Sequence, residues 1–377
     1  MILDKPTLDL YSDYLISSLG GLTTATELSK LTNQALSNDK ISRFLGGVYQ
    51  ENKKLQHTEY QSKDLWKLVK PIVRKYESLD SYLIIDDTIQ EKQYSDVNEV
   101  ICWHFDHCFN RQVKGVNILN FILVTPDINI PLALEVIKKT EKYTIIKEDK
   151  TIERRKSKQT KNELLRDNFN QIIKNEVKFT YVLIDSWFGA NGTLELINKT
   201  KKKYIVPLKT NRKIALSYQD KLQGKWHKLD TITDITKQEI ENKPLEVWLE
   251  GLDHSIHLIK QIFTNEDDSI GVQFLITNDS GLSKDNIVQH YQKRWQVEEY
   301  HKSIKSNLGL SKSPTKTVTT QINHFFCSIY AYIQLEYLTK STKITNHFQL
   351  KSKLYLEALK RSFEELAKMR LEFGCER

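Results

Sequence analysis

Two stretches of the sequence share one pattern: YLIIDDT, which begins at Tyr82, and YVLIDSW, which begins at Tyr181. Each has a tyrosine, three aliphatic residues and an aspartate, so Asp86 and Asp185 occupy the same position in the two stretches. Short apolar runs bounded by turn residues are typical of strands buried on both faces of a sheet. Because polar sites of α/β sheets lie beyond the carboxyl ends of the strands, two adjacent strands of this kind would bring Asp86 and Asp185 together.

Strands and helices alternate through the middle of the chain. We predict strands in SYLIIDDT, KGVNILNFILVT, FTYVLIDSW and KKYIVPLKT, and helices over Asn162–Asn175 and in GTLELINKTKK. This alternation indicates an α/β fold. Residues 210–280 are instead rich in strand patterns, which indicates a β-rich insertion, and helical patterns return from Lys284.

The first 75 or so residues favour short helices with a turn near ALSND, which is the outline of a helix-turn-helix. In that arrangement Lys40 and Arg43 would face DNA. The apolar residues beside them, Ile41, Phe44 and Leu45, would pack inward. A generic helical bundle fits these residues nearly as well.

Charge and composition favour a soluble protein with a polyanionic partner. Of the 377 residues, 39% are hydrophobic and 28% are charged, and the net charge is +8. Basic residues are concentrated in the middle of the chain, where KTNRK contains Lys209 and Arg212 as candidate DNA contacts. Four cysteines make no disulfide framework, and no signal peptide or membrane span is visible, so we expect a cytoplasmic location.

One segment, CWHFDHC at residues 102–108, has a composition that suggests zinc. Its spacing matches no common zinc-binding pattern, so we interpret it as a strand and turn after the first acid. His104 or His107 would then be near enough to approach DNA.

A third acid lies in a segment that we predict to be one helix, Tyr291–Leu310. Four apolar residues at helical spacing form its buried stripe: Val297, Tyr300, Ile304 and Leu308. A second face holds four polar residues that point the same way: Tyr291, Arg294, Glu298 and Lys305. An ordinary exposed helix with i,i+4 ion pairs would explain any two of these polar residues.

The sequence resembles the cut-and-paste DDE transposases of bacterial insertion sequences, in the group marked by a Y-(2)-R-(3)-E-(6)-K signature. The residues from Tyr291 to Lys305 fit that signature at every spacing. The first acid of the family lies in a D-x-[ST] element, matched by Asp86-Asp87-Thr88, and the second in a D-x-x-[FY]-[GS] element, matched by Asp185-SW-Phe188-Gly189. The resemblance covers about residues 81–310.

This resemblance implies an RNase H-like catalytic domain over residues 76–209 and 281–340, with the insertion at 210–280, a helical DNA-binding region at 1–75 and C-terminal helices at 341–377. It implies that Asp86, Asp185 and Glu298 hold two Mg²⁺ ions, for which Mn²⁺ would substitute. Arg294 and Lys305 would grip phosphates.

The resemblance also implies partners and a stacking residue. The substrates would be double-stranded transposon ends with terminal inverted repeats, together with target DNA, and the active complex would be a homodimer. In relatives, a tryptophan of the β insertion replaces a flipped base, and Trp226 and Trp248 are the candidates. Tyr291 would hydrogen-bond a backbone phosphate.

Three alternatives stay open at this point. Asp87 neighbours Asp86 and is a rival for the first metal ligand, although the shared register with Asp185 favours Asp86. The second alternative is a co-opted, catalytically silent DNA-binding protein. The third is a structure-selective nuclease of the same fold that does not join strands. A metal-dependent nicking assay separates the first rival from a transposase, and analysis of strand-transfer products separates the second.

Overall fold

A computed structural model describes residues 3–18, 23–51, 54–106, 110–147, 150–231, 243–264, 267–313, 315–342 and 344–373. The chain divides into two compact units, each built from separate parts of the sequence. The first unit comprises Met1–Lys67, Ile89–Asn117 and Tyr300–Arg377, and the second comprises Leu68–Thr88 and Ile118–Glu299. These limits differ from the predicted domain limits, which stay a prediction.

The elements follow one another along the chain in two stretches. The first stretch contains α1 Lys5–Ser17, α2 Ala25–Leu31, α3 Asn38–Leu45, β1 Val48–Glu51, β2 Lys54–His57, α4 Ser62–Tyr76, β3 Tyr82–Glu91, β4 Cys102–Asp106, β5 Arg111–Val124, β6 Asn129–Val136, β7 Glu141–Lys147, β8 Lys150–Lys156 and α5 Lys161–Lys174. The second contains β9 Tyr181–Ile184, α6 Asn191–Lys199, β10 Lys203–Leu208, β11 Lys213–Ala215, α7 Tyr218–Leu222, β12 His227–Lys228, β13 Leu245–Leu249, β14 Ser255–Thr264, β15 Ile270–Thr277, α8 Lys284–Gln292, α9 Gln296–Ser306, α10 Val318–Ser341 and α11 His347–Glu372.

The second unit is organised by a large mixed sheet. Its strands are ordered β12-β11-β13-β14-β15-β10-β9-β3-β5, and β6 pairs with β5 beside this path. β9 is parallel to both β3 and β10, and their apolar side chains are almost wholly buried, as sheet strands covered on both faces require. The mixed α/β sheet with helices before and after it confirms the predicted fold class, an RNase H-like α/β fold.

The β-rich segment is part of this same sheet. β15 pairs antiparallel with β10, and β14, β13 and β11 continue the sheet outward from it. Backbone hydrogen bonding therefore continues from the acid-bearing strands through β10 and β15 into β14, β13 and β11. A short helix, α7, also lies within this β-rich block.

The first unit holds the N-terminal helices against α10. The side chain of Asn323 accepts a hydrogen bond from the Tyr60 backbone N–H at 2.7 Å and donates one to the Leu45 carbonyl at 2.8 Å. His324 is fully buried, and its Nδ1 is 2.9 Å from the Tyr11 hydroxyl. These buried polar contacts are satisfied only when the helices pack in this one arrangement.

The N-terminal region contains a hairpin as well as helices, although its sequence indicated helices alone. β1 and β2 form a two-stranded antiparallel hairpin in which Val48 pairs with His57. Four-residue strands are too short to show a clear alternation, and their stability comes from backbone pairing rather than from a side-chain pattern. α2 and α3 are present as predicted, and each begins at a capping hydroxyl, Thr24 or Ser37.

Candidate active site

The two copies of the strand pattern lie side by side. β3 and β9 are parallel neighbours in which Ile85 pairs with Ile184. The next residue along the chain is the aspartate in both cases, Asp86 within β3 and Asp185 directly after β9, so the two acids are adjacent across the pair, as the sequence predicted. The three aliphatic residues before each acid are fully buried and fix the two backbones in the core.

The tyrosines of the two copies anchor the helix that precedes the third acid. The rings of Tyr82 and Tyr181 stack with centroids 6.0 Å apart, and the Tyr181 ring stacks on His290 of α8 at 4.7 Å. The Tyr82 hydroxyl is 2.6 Å from the Nδ1 of His290, and the Tyr181 hydroxyl donates to Asp279 at 2.7 Å. In both copies of the pattern, the first residue is a tyrosine that contacts His290 of α8, and the fifth residue is the acid.

The carboxyl of Asp86 is the most perturbed acid of the site. Burial, the neighbouring Asp185 and the further negative charges of Asp87 and Glu298 raise its pKa to about 8, against the opposing effect of the Arg294 guanidinium. Its side chain is only 14% exposed. Two such close carboxylates are both ionised only when a cation shares the site.

Asp185 has a different set of partners. Its Oδ1 accepts hydrogen bonds from the backbone N–H groups of Trp187 at 2.9 Å and Phe188 at 3.2 Å. Burial raises the pKa of Asp185, while these two N–H donors oppose the rise because they stabilise the charged form. Phe188 is fully buried, and a Cβ at Gly189 would come within 2.9 Å of Val206, which explains why this turn takes a glycine.

The predicted single helix of the third acid is divided. α8 ends at Gln292, residues Lys293–Trp295 form a 3₁₀ turn, and α9 then runs from Gln296 to Ser306. No proline or glycine marks the division, so the prediction of one helix from Tyr291 to Leu310 was wrong in its middle and at its end. The buried stripe is confirmed, since Val297, Tyr300, Ile304 and Leu308 are all fully buried.

The 3₁₀ turn places Arg294 between two of the acids. Its Nη1 is 3.4 Å from an oxygen of Asp86 and 3.3 Å from an oxygen of Glu298. The guanidinium carbon lies 5.9 Å from the centre of the Tyr291 ring, and burial raises the pKa of that tyrosine. Arg294, Glu298 and Tyr291 are thus grouped with Asp86. The signature group itself stays a prediction.

Asp87, the rival first ligand, is engaged elsewhere. Its carboxylate forms an ion pair with the Lys161 ammonium at 2.9 Å, with both side chains partly buried. The backbone N–H of Asp87 donates to the Asp86 carboxylate at 2.9 Å. The Asp87 carboxylate is therefore engaged by Lys161, and the assignment of Asp86 as the first metal ligand stays a prediction.

The acids fit a hard divalent cation in their chemistry. Mg²⁺ prefers one or two carboxylates together with water and phosphate oxygens, and Asp86 and Asp185 supply adjacent carboxylates in a place where charge repulsion calls for a cation. Among the residues that the structure describes, no group of three or more His, Cys, Asp or Glu side chains is arranged to hold a metal ion. In this arrangement Glu298 is connected to Asp86 through the Arg294 guanidinium.

The other predicted contact residues have varied surroundings. Lys209 is exposed, whereas Arg212 is half-buried and donates to the Gly189 carbonyl at 3.3 Å and to the Asn191 side chain, so it braces the turn after Asp185. Lys305 is half-buried in α9, within the first unit. Its role at phosphate stays a prediction.

The N-terminal candidates lie on the surface with acidic neighbours. Arg43 pairs with Asp39 at 3.0 Å, and the Lys40 ammonium is 3.8 Å from Asp4. The inward packing of the apolar residues of α3 is confirmed, since they are at most 6% exposed: Ile41, Phe44 and Leu45. Contact of this helix with DNA stays a prediction.

The two candidate stacking tryptophans are half-buried in the β-rich segment. Trp248 packs against Tyr218, with ring centres 5.9 Å apart, and Trp226 precedes β12. A cavity of about 430 Å³ beside Arg294 is lined by other residues: Gln261, Phe263, Gln273, Val288, Tyr291, Gln292, Arg294 and Trp295. Sequence reasoning missed Phe263 and Trp295, although Trp295 comes directly after the signature arginine.

The zinc-like segment is a strand as far as the structure describes it. Cys102–Asp106 form β4, which pairs with the first part of β5. His107 and Cys108 lie outside the described residues. His104 is buried within β4.

An RNase H-like sheet with two adjacent strand-borne aspartates, and with a glutamate on a later helix, defines a DDE-type domain. A family model described as a transposase DDE domain matches residues 144–333, just over half of the chain, and includes Asp185 and Glu298. A second, described as a DDE superfamily endonuclease, matches residues 7–230 and includes Asp86 and Asp185. The chain belongs to the DDE transposase family.

Membership of this family defines the general activity. The chain is a nuclease or transposase whose substrate is DNA, in a superfamily that generally uses divalent metals. No curated protein sequence matches the chain. None of the helices in the described ranges has the length and apolar character that a bilayer crossing needs.

Proposed function

We propose that this protein is a metal-dependent transposase of the Y-(2)-R-(3)-E-(6)-K group, which cuts transposon ends and joins them to target DNA. The observation that carries the proposal is the grouping of Arg294 and Glu298 with Asp86, beside Asp185, where the two aspartates directly follow the paired residues Ile85 and Ile184 of two parallel strands. If Arg294 only stabilised its own helix, one ion pair with Glu298 would be enough. Instead, the Arg294 guanidinium lies between Asp86 and Glu298, and Asp185 is adjacent to Asp86.

In this proposal the three acids hold two divalent ions, and Mg²⁺ suits their oxygen donors best. When bound, such ions lower the pKa of an attacking hydroxyl and neutralise charge that develops at the phosphate. A water or DNA 3′-hydroxyl oxygen attacks phosphorus in line, and the opposite P–O bond breaks. Arg294 and Lys305 bind the phosphate oxygens, and Tyr291 donates a hydrogen bond to the backbone beside them.

The cavity beside Arg294 supports recognition of a displaced base. Phe263, Tyr291 and Trp295 supply aromatic surface, and three glutamines supply both hydrogen-bond donors and acceptors: Gln261, Gln273 and Gln292. Base stacking on aromatic side chains repays part of the stacking lost when a nucleotide leaves the duplex. We therefore place the flipped base of the family in this cavity rather than at Trp226 or Trp248.

A homodimer is the form that we propose for the active complex. α11 exposes apolar side chains at positions that repeat along one side of the helix, Leu356, Phe363 and Leu366, and the exposed Phe373 follows directly after the helix end at the same spacing. A long helix with an exposed apolar stripe at spacings of seven and three residues suits pairing with a second helix of the same kind. The cytoplasmic location also stays part of the proposal.

The test is cleavage of a transposon-end duplex, taken from the inverted repeats that flank the gene. Asp185→Asn and Glu298→Gln should each lower single-turnover cleavage by at least about 1000-fold while duplex binding changes little, because affinity comes mainly from lysine and arginine contacts to phosphate. Cleavage is measured on gels and binding by fluorescence anisotropy. Retained cutting in both variants would contradict the assignment of the site.

The matched control uses the same wild-type protein and duplex with different ions. Mg²⁺ or Mn²⁺ should support cleavage, whereas Ca²⁺ should support binding only, because its longer bonds misplace the attacking oxygen. Full activity in excess EDTA would contradict metal dependence. Strand-joined products with a second duplex would distinguish a transposase from a nuclease of the same fold.

A further inference from the structure

Trp187 has an exposed side chain beside a catalytic acid. The indole is 45% exposed, although its own backbone N–H donates to Asp185 at 2.9 Å. The next residue, Phe188, is fully buried, so the turn is fixed from beneath while the tryptophan ring stays at the surface. The position of the ring relative to Asp185 is therefore set by the backbone of the turn itself.

Two lysine ammoniums approach this ring from different parts of the second unit. The Nζ of Lys161, the first residue of α5, is 5.6 Å from the ring centre, and the Nζ of Lys209, just after β10, is 5.3 Å from it. Lys161 also pairs with Asp87, the neighbour of Asp86. An aromatic surface and two positive charges are thus gathered at the edge of the acid pair.

This combination suits a nucleotide. A base has a flat face that stacks on an indole whatever its identity, and its phosphate is an anion that an ammonium binds as a point charge. Stacking of a base on an aromatic side chain is stronger than the contact of an exposed ammonium with the same ring. The flexible lysine side chains can therefore leave the ring for the phosphate when a base arrives.

We propose that Trp187, Lys161 and Lys209 form a binding site for one unpaired nucleotide of the DNA strand next to the acids, with the base on the indole and the phosphate at the ammoniums. This inference rests on the proposed function, since it takes DNA as the ligand. The site differs from the cavity lined by Phe263 and Trp295, with which it shares no residue.

The experiment measures binding of a fluorescein-labelled single-stranded 20-mer of mixed sequence by anisotropy, in EDTA so that no strand is cut. Trp187→Leu should weaken binding by about tenfold, and Trp187→Phe by less than about threefold, because phenylalanine keeps a ring for stacking. Lys161→Ala and Lys209→Ala should each weaken binding and each lower the salt dependence of the affinity, because each removes one phosphate contact.

Matched controls separate a local site from a general loss of charge or aromatic surface. Lys174 lies at the other end of α5, and Tyr94 is fully exposed in the first unit. Lys174→Ala and Tyr94→Leu should leave the affinity for the 20-mer within about twofold of wild type. A second probe of the same length, in which every nucleotide lacks its base, should bind wild type and Trp187→Leu with nearly equal affinity.

Two results would overturn the inference. One is wild-type affinity for the 20-mer in Trp187→Leu, and the other is an equal loss in Trp187→Leu and Trp187→Phe, which would indicate a structural role for the indole. Circular dichroism and thermal melting of each variant establish that it is folded. Failure here is distinguishable from failure of the proposed function, because metal-dependent cutting of the duplex is measured separately with the Asp185 and Glu298 variants.

Discussion

The strands β3 and β9 carry the same sequence pattern and hold their acids in different ways. Asp86 lies within β3, which continues to Glu91, and it forms an ion pair with the Arg294 guanidinium at 3.4 Å. Asp185 comes directly after the end of β9 and is held by two backbone N–H groups. The shared pattern sets the register of the two acids, and the backbone beyond each acid sets how that acid is stabilised.

The two aspartates therefore differ in what stabilises their negative charge. The backbone donors of Asp185 are fixed by the turn, and they stabilise its negative charge whether or not a cation is near. Among the residues that the structure describes, Asp86 has a single backbone donor, the N–H of Asp87, and burial and like charge raise its pKa against the effect of Arg294. We infer that Asp86 depends on an added cation more than Asp185 does.

Of the changes that test this comparison, substitution of Arg294 is expected to have the largest effect on the cleavage rate. Arg294→Ala removes the cation beside Asp86 and the fork that binds phosphate, so cleavage of pre-bound duplex should fall by about 100-fold or more. Arg294→Lys should also fail, because one ammonium cannot reproduce the fork. Single-turnover cleavage with saturating Mg²⁺ is the measurement.

Lys293→Ala is the matched control, since Lys293 is an exposed basic residue in the same 3₁₀ turn. Its cleavage rate should stay within about threefold of wild type, because an exposed charge contributes little. Folding of all three variants is checked by thermal melting. Wild-type rates in both Arg294 variants would mean that the ion pairs of Arg294 only support the helix.

Much of this site was visible in the sequence because it depends on local pattern. The apolar runs before Asp86 and Asp185 predicted two buried strands, and their equal register predicted neighbouring acids. The spacing from Tyr291 to Glu298 predicted one polar face. Each of these inferences uses the period of a strand or a helix, which is encoded in adjacent residues.

Features that depend on distant parts of the chain could not be predicted in the same way. Pro131 interrupts the strand pattern of β6, so the sequence did not indicate this strand. Within the described ranges β6 pairs with β5 alone, and a proline is tolerated in a strand that pairs on one side. The 3₁₀ turn at residues 293–295 has no glycine or proline to mark it. Trp187 occupies an unspecified position of the D-x-x-[FY]-[GS] element, and only folding brings Lys161 and Lys209 to it.

The pH dependence of stability should differ between the two aspartates. The pKa of Asp86 is raised to about 8 from an ordinary value of 3.8, so its folded form prefers the neutral carboxyl, and stability is lost as pH rises from about 4 towards 8. Asp86→Asn removes this loss. Relative to wild type, the variant should gain at least about 1 kcal/mol of unfolding free energy at pH 8 compared with pH 5, since each pKa unit corresponds to about 1.4 kcal/mol.

Urea unfolding in EDTA at the two pH values is the measurement, and Asp185→Asn is the comparison. The pKa of Asp185 is also raised, but its N–H donors favour the charged form, so its gain at pH 8 should be smaller. Equal gains in unfolding free energy in the two variants would show that the backbone N–H donors of Asp185 do not make its pH dependence different from that of Asp86. Added Mg²⁺ should lower the stability advantage of both variants, because a bound cation stabilises the wild-type carboxylates.

The smallest effect is expected at Asp87, next to the most perturbed acid. Asp87→Asn removes a negative charge near Asp86 and an ion pair with Lys161, but it keeps the backbone N–H that Asp86 accepts. Cleavage should therefore stay within about tenfold of wild type, and stability should change by less than about 1 kcal/mol, as for other partly exposed ion pairs. Asp86→Asn, measured beside it, should be inactive. The opposite result, an inactive Asp87→Asn and an active Asp86→Asn, would identify Asp87 as the first metal ligand. It would also mean that equal strand register does not identify the catalytic pair.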